Sequence, residues 1–111
     1  MELQTASLEG WKIFKPTEKR LDAHVAEEFK QALTTRVDDD SKNIVLDLSE
    51  VEFMDSSGLG AIIFFKQFVG DGATIVLSSV HPGIEAILKL THLDKVFKIV
   101  DEPDQVLEEV T

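Results

Sequence analysis

Residues 55–60, with the sequence Asp-Ser-Ser-Gly-Leu-Gly, decide how this chain folds. An apolar run typical of a strand, 44–53, comes before them, and an apolar run typical of a helix, 61–69, comes after them. The pattern predicts that a strand ends and a helix begins here, with two hydroxyl groups at the junction. A helix start has unpaired backbone N–H groups and a partial positive charge, so it accommodates a serine cap and equally a phosphate group.

Outside this junction, predicted strands and helices alternate along the chain. Strands are predicted from apolar and β-branched runs at 3–8, 11–14, 44–48, 74–77 and 96–100. Helices are predicted from apolar residues at helical spacing at 21–37, 57–69, 82–90 and 101–110. Strands that alternate with helices indicate an α/β layer with parallel pairing wherever a helix crosses over.

Single residues mark where these elements begin, end and pack. Asp22 is the predicted N-cap of the first helix, Gly70 ends the second, and Pro82 suits the first turn of the third. The strand 44–48 is rich in branched apolar residues, which is typical of a strand covered on both faces. The last helix is predicted to dock through Val106, Leu107 and Val110.

The composition indicates one globular domain, residues 1–111. Hydrophobic residues make up 43% of the chain and charged residues 29%, a balance that fits a folded protein and not a disordered one. Without cysteine, the chain can form neither a disulfide nor a thiolate metal site. Because it has no apolar run of roughly 18 residues and no basic, apolar leader, we expect a cytoplasmic location.

The formal net charge of -10 narrows the class of partner. Proteins that bind nucleic acid neutralise phosphates with Lys and Arg, and anionic membranes attract basic segments. Neither nucleic acid nor direct membrane binding is therefore expected. A basic protein partner fits this charge, and so does the simpler explanation that the charge keeps the protein soluble.

Residues 44–60 resemble the signature of STAS domains, and most of all that of bacterial anti-sigma factor antagonists. Two further segments carry the resemblance, Leu-Asp-Ala-His at 21–24 and Leu-Lys-Leu-Thr-His-Leu-Asp-Lys-Val-Phe at 88–97. The similarity extends over most of the chain. It implies an α/β fold made of a single STAS domain, with a mixed four- to five-stranded sheet and about four helices.

In such antagonists the serine directly after the aspartate is phosphorylated, and here that serine is Ser56. The resemblance implies a partner that is both an anti-sigma factor and a serine kinase. The unphosphorylated antagonist binds this partner and frees the sigma factor, the phosphorylated antagonist releases it, and a metal-dependent serine phosphatase resets the switch. The nucleotide belongs to the kinase, so no cofactor, metal or catalytic residue is expected here. The residues implied at the partner surface are Asp22, Asp55, Ser56, Ser57, Gly58 and Leu59.

The chain departs from the family's pattern before the first helix. Antagonists often have a glycine two or three residues before the Asp22 position, where this chain has 18–20, Glu-Lys-Arg. We therefore expect the turn near Lys19 to be built differently from the family's usual turn.

The helix after the motif is apolar nearly all round. Ala61, Phe64, Phe65 and Phe68 are predicted on one side, and Leu59, Ile62, Ile63 and Lys66 on the other. Only one face can pack on the sheet, so the other is left as a partner groove or as the seam of a homodimer.

The residues of the motif leave simpler roles open. Helix capping alone would explain Ser56 and Ser57, with Ser57 inside the first turn and less exposed. Asp55 fits a turn residue, and Asp22 fits an N-cap. The last two residues of interest, Gly58 and Gly60, are expected to allow a close approach of the helix to the sheet.

Other function classes fit less well. A serine hydrolase elbow needs Gly-x-Ser-x-Gly, and Met54 stands at the first glycine position. The three histidines, His24, His81 and His92, lack metal-ligand spacing and cannot be assigned to a triad. A phosphate-binding P-loop would need a lysine that the motif lacks. The alternative that stays open is a non-phosphorylated accessory or scaffold STAS domain of a transport or signalling complex.

Overall fold

The computed structural model describes residues 1–38 and 40–109 and has an α/β fold with a mixed sheet. The strands are β1 Leu3–Leu8, β2 Trp11–Pro16, β3 Arg20–Leu21, β4 Asn43–Asp47, β5 Phe53–Met54, β6 Thr74–Ser78 and β7 Lys98–Val100. The helices are α1 Ala26–Arg36, α2 Ser56–Val69, α3 Pro82–Leu90 and the single-turn α4 Val106–Glu109. Short 3-10 turns lie at Leu93–Lys95 and Pro103–Gln105.

Five strands form the main sheet, in the order β1-β2-β4-β6-β7. Strand β1 is antiparallel to β2, and the other neighbours are parallel because a helix separates each pair along the chain. The central strand β4 is covered on both faces, as its composition predicts, since Ile44, Val45 and Leu46 have no exposed surface. The predicted mixed sheet of four to five strands is thus confirmed, and it has five strands.

The larger part of the core lies on the helix-bearing face of the sheet. Helices α1, α2 and α3 bury apolar side chains there, and the Phe14 ring of β2 meets the Phe65 ring of α2 edge to face at 6.4 Å. The opposite face is covered in part by α4, whose Val106 packs with Trp11 and Val45. The predicted docking of the terminal segment is confirmed for Val106 and Leu107, while Val110 lies outside the described residues.

The predicted start of the first helix is wrong. Leu21 is part of a strand, because it pairs with Met54 of β5 in a separate two-stranded parallel sheet. The chain then turns, and α1 begins only at Ala26 with Val25 as its N-cap residue. Asp22 is therefore not the N-cap of α1, although its backbone carbonyl accepts the N–H groups of Val25 and Ala26 at 3.1 and 2.9 Å.

The two-residue strands β3 and β5 were not predicted, yet they position the motif. The carbonyl of Lys19 accepts the N–H groups of Glu52 and Phe53 at 2.8 and 3.1 Å, which fixes the two segments side by side. Among residues 1–38 and 40–109, the non-glycine residues with positive φ angles are Glu9, Ser79 and His92, so the turn at 17–19 contains no left-handed residue. This explains how the chain builds the turn without the family's glycine.

Gly58 allows α2 to approach the small sheet closely, as predicted. A Cβ atom at this position would overlap the carbonyl oxygen of Leu21 and would lie 2.8 Å from Cγ of Met54. The same prediction is wrong for Gly60, where an added Cβ would meet no atom within 4 Å. Only the first of the two glycines is therefore required by packing.

The two glycines give a matched pair of variants. We expect Gly58→Ala to lower the free energy of unfolding by about 1–3 kcal/mol, because the methyl group must push α2 away from β3 and β5. Gly60→Ala should leave it unchanged or raise it by up to about 1 kcal/mol, since alanine is the better helix former. Urea unfolding of both variants measures the difference, and equal effects would contradict the close approach.

Candidate functional site

The junction between β5 and α2 is organised by the side chain of Asp55. Oδ1 of Asp55 accepts the backbone N–H groups of Ser57 at 2.9 Å and of Gly58 at 3.1 Å, which makes Asp55 the N-cap of α2. A carboxylate at this position satisfies two N–H groups that lack partners within the helix and lies at the positive end of its dipole. Asp55 is thus more than a turn residue, and capping does not require either serine.

The second oxygen of Asp55 connects the motif to the segment before α1. Oδ2 accepts the N–H of Ala23 at 3.3 Å, and the N–H of Asp55 donates to the carbonyl of Leu21 at 3.3 Å. These bonds bring 21–24 and 55–58 together, although more than 30 positions separate them along the chain. Two of the three sequence segments that carry the resemblance therefore form one site.

Asp22 lies at the edge of this site and is held in place on both sides. Its Oδ1 accepts the N–H of His24 at 3.1 Å, and its Oδ2 lies 3.3 Å from Nε of Arg20. The guanidinium of Arg20 also stacks over the Phe53 ring, 4.1 Å from its centre. Sequence inspection missed Arg20, because its contacts depend on the pairing of β3 with β5.

The charge of Asp22 is stabilised in the folded protein. Partial desolvation favours the neutral form, but the His24 N–H, the hydrogen bond from Arg20 and the positive charge nearby outweigh it. The pKa of Asp22 is accordingly below its ordinary value of 3.8. Asp22 therefore adds a fixed negative charge beside Asp55 at neutral pH.

The two hydroxyl groups occupy different environments. Ser56 is the first residue of α2 and is exposed, whereas Ser57 is half-buried, as predicted for a residue inside the first turn. Neither hydroxyl hydrogen-bonds to another group in the part of the chain that the structure describes. Ser57 faces a groove of about 220 Å³ between α1 and α2, which Lys30 and Phe64 also line.

The exposed face of α2 carries no charged residue. Its exposed positions are Ser56, Gly60, Ile63, Phe64, Gln67 and Phe68. The rings of Phe64 and Phe68 stack at 6.4 Å, and Nζ of Lys30 lies 4.6 Å from the Phe64 ring. The predicted division of this helix is partly wrong: Phe65 is buried with Ile62, and Phe64 points to solvent beside α1.

Two of the three histidines, His81 and His92, lie outside the segments 21–24 and 55–58 that form the site, whereas His24 belongs to the first of them. His81 directly precedes α3, and its Nε2 is 2.9 Å from the carbonyl oxygen of Ser49. His92 follows that helix and has a left-handed φ of 61°. Within 1–38 and 40–109, no group of three or more His, Asp or Glu side chains is placed to hold a metal ion. In the same residues, no helix has the length and apolar character needed to span a membrane.

The family model for the STAS domain matches residues 2–106, so this chain belongs to the STAS family. A Thermotoga maritima protein provisionally named an anti-sigma factor antagonist is 40% identical over 68 residues, which is 60% of each chain. The match thus spans less than two thirds of the length of that relative.

Solved structures of similar proteins cover nearly all of the chain. The crystal structure of the Thermotoga maritima protein has a TM-score of 0.83 and 29% identity, over 97% of this chain and 93% of that one. An anti-sigma factor antagonist from Mycobacterium paratuberculosis has a TM-score of 0.85 and 26% identity, over 98% and 92%. These relatives are named as anti-sigma factor antagonists, and the chain shares their STAS fold.

The ion pair of Asp22 provides a test of the site's electrostatics. Because the folded pKa is lowered, ionised Asp22 stabilises the fold above about pH 3.8, and this stabilisation is lost as the pH falls through the lowered pKa. We expect Arg20→Gln to raise the pKa of Asp22, measured from its carboxyl resonance by NMR. Lys19→Gln removes the same charge one residue away and should have the smaller effect; equal effects would contradict the pairing.

Proposed function

We propose that this chain is an anti-sigma factor antagonist that is switched by phosphorylation of Ser56. Unphosphorylated, it binds an anti-sigma factor that is also a serine kinase; phosphorylated, it releases that partner, and a metal-dependent serine phosphatase restores it. The chain acts as a single STAS domain in the cytoplasm and holds no cofactor of its own. The observation that carries the proposal is an exposed serine at the first position of a helix whose capping is supplied by Asp55.

The geometry of Ser56 suits phosphoryl transfer by a separate kinase. Its hydroxyl is exposed and has no hydrogen-bonding partner in the described chain, so a kinase can approach without breaking internal contacts. The hydroxyl oxygen attacks the γ-phosphorus of ATP held by the kinase, the bond to the β-phosphate oxygen breaks, ADP leaves, and a base of the kinase takes the proton. Ser57 is half-buried in the α1–α2 groove and is the poorer acceptor.

Two electrostatic effects compete at a phosphorylated Ser56. The phosphate carries roughly -1.5 to -2 charges, and the helix start stabilises an anion by about 0.3–1 kcal/mol at an exposed position. Asp55 and Asp22 repel it, by roughly 4 kcal/mol for a unit pair 4 Å apart at an effective dielectric constant of about 20. Water screens this repulsion at the free surface, so the fold tolerates the phosphate. A closed complex excludes water from the contact. The repulsion between the phosphate and the two carboxylates is then unscreened, so the phosphorylated chain dissociates from its partner.

The exposed face of α2 is the surface that this proposal assigns to the partner. It begins at Ser56 and continues to Phe68 with no charged residue among its exposed positions, in a chain whose net charge is -10. Lys66 is half-buried in the same helix, and Nζ of Lys30 lies over the Phe64 ring. An apolar patch that starts at the phosphorylated residue lets one modification act on the whole contact. Gly58 and Leu59 are buried, so in this proposal they shape the first turn, and Asp22, Asp55 and Ser57 form its rim.

Phosphorylation of matched serine variants tests the switch. With a purified anti-sigma factor kinase of the same organism and ATP, we expect wild type and Ser57→Ala to gain one phosphate and Ser56→Ala to gain none, by mass spectrometry. Ser56→Asp should weaken binding of that kinase at least about tenfold, because it places a charge in the contact. Amide NMR shifts on phosphorylation should stay confined to 20–24 and 53–60.

The opposite results would favour the accessory alternative. If Ser56 gains no phosphate and Ser56→Asp binds as wild type does, the chain is a scaffold or accessory STAS domain. Phosphate on Ser57 alone would contradict the assigned acceptor. A large backbone rearrangement would contradict the electrostatic mechanism while leaving the acceptor in place.

Truncation of the α2 face tests the partner surface separately from the switch. We expect Phe64→Ala to weaken kinase binding by about tenfold or more, since central aromatic side chains contribute most to such contacts. The control Leu90→Ala removes a side chain that is 81% exposed on α3 and should leave binding unchanged. Calorimetric titration measures both affinities. If the two variants lost the same affinity for the kinase, or if neither lost any, the exposed face of α2 would not be the partner surface.

A further inference from the structure

Strand β1 is an unprotected edge of the main sheet. It pairs with β2 over six residues without a bulge, it contains neither proline nor a charged residue, and four of its residues are exposed. The opposite edge, β7, has only three residues and includes a lysine. Short strands, prolines and charges are the usual means of preventing edge pairing, so β1 has the features of an edge that accepts another strand.

The turn between β1 and β2 determines which backbone groups face outward. Glu9 and Gly10 form a two-residue turn with positive φ angles of 44° and 89°, and Leu8 and Trp11 flank it. In such a hairpin the flanking pair exchanges hydrogen bonds, and bonded and non-bonded pairs then alternate along the ladder. The backbone N–H and C=O groups of Leu8, Ala6 and Gln4 therefore point toward β2. The backbone groups of the residues between them point away from it.

The residues of β1 whose backbone N–H and C=O groups point away from β2 are Leu3, Thr5 and Ser7. The structure supports this assignment, because Nη1 of Arg36 reaches the carbonyl of Leu3 from outside the sheet at 3.3 Å. That contact occupies one end of the edge. The N–H and C=O groups of Thr5 and Ser7, four groups in all, stay open to another strand, and the described chain supplies no partner for them.

We propose that a second copy of this chain pairs antiparallel with β1 across a twofold axis. One register uses the four open groups of each copy. It places Thr5 of each copy opposite Ser7 of the other, so that eight backbone groups form four hydrogen bonds. Ala6 then lies on the axis, opposite its own copy. The two five-stranded sheets become one continuous sheet, and the exchange is isologous, as in most homodimers.

A second copy fits this uncharged edge without placing like charges opposite each other on the paired strands. In this register Glu2 lies opposite Gly10 and Glu9 lies opposite Leu3, so no two acidic residues face each other. Each copy carries a net charge of -10, so the dimer forms against a general repulsion at a contact that is itself uncharged. Added salt screens that repulsion and should strengthen the dimer, whereas it would weaken binding of a basic strand.

Single cysteines test the register, because the chain has none of its own. In Ala6→Cys the two thiols lie in a non-bonded antiparallel pair with Cα atoms about 4.5 Å apart, a distance that a disulfide spans. In the control Gln4→Cys, two residues away on the same face, the register separates the thiols by about 13 Å. We expect mild oxidation to cross-link the first variant at least about tenfold faster than the second.

Proline provides the second test. Thr5→Pro removes one outward N–H per copy but no bond to β2, so the variant should fold while its dimer dissociation constant rises at least about tenfold. Thr5→Val keeps the N–H and should dimerise as wild type does. Sedimentation at several salt concentrations gives the mass, and thermal unfolding verifies the fold.

Three results would overturn the proposal. Equal cross-linking of the two cysteine variants would contradict the register, as would a dimer that persists in Thr5→Pro. A monomer mass up to about 1 mM, without cross-linking of Ala6→Cys, would show that the edge does not bind a second copy.

Discussion

The carboxylate of Asp55 is the interaction on which the site depends. One oxygen accepts two N–H groups at the start of α2, and the other accepts the Ala23 N–H from the segment before α1. A capping side chain of this kind contributes about 0.5–2 kcal/mol to a helix. Its larger effect here is geometric, because it fixes the helix start, β5 and 21–24 relative to one another. The exposed position of Ser56 follows from that arrangement.

Long elements with a clear period could be predicted from the sequence, and short ones could not. Strands β4 and β6 and helices α2 and α3 were placed to within one or two residues, because apolar spacing and flanking glycine or proline determine them. Strands β3 and β5 have two residues each, too few for any period. Leu21 is extended because Met54 lies beside it, and that contact is not encoded locally.

In the candidate site, too, local sequence features could be predicted and contacts between distant segments could not. The motif identified Asp55, Ser56 and Ser57, but the network around Asp22 follows from pairing between distant segments. Arg20 was missed for this reason, and so was the orientation of the phenylalanines in α2. Phe65 is buried against the Phe14 ring and Phe64 is exposed beside Lys30, a choice that depends on where α1 packs. An all-apolar helix does not reveal from its sequence which face is covered.

The position of Ser56 in the first turn of α2 has a consequence for recognition. Backbone bonds to Asp55 hold this turn in helical geometry, and the Leu21 carbonyl lies directly behind Gly58. In the proposed function, the kinase that modifies Ser56 therefore meets a folded shape assembled from two distant segments. A linear peptide copied from the motif lacks that shape. If the kinase recognises the folded site, loss of the fold abolishes phosphorylation as completely as loss of the serine.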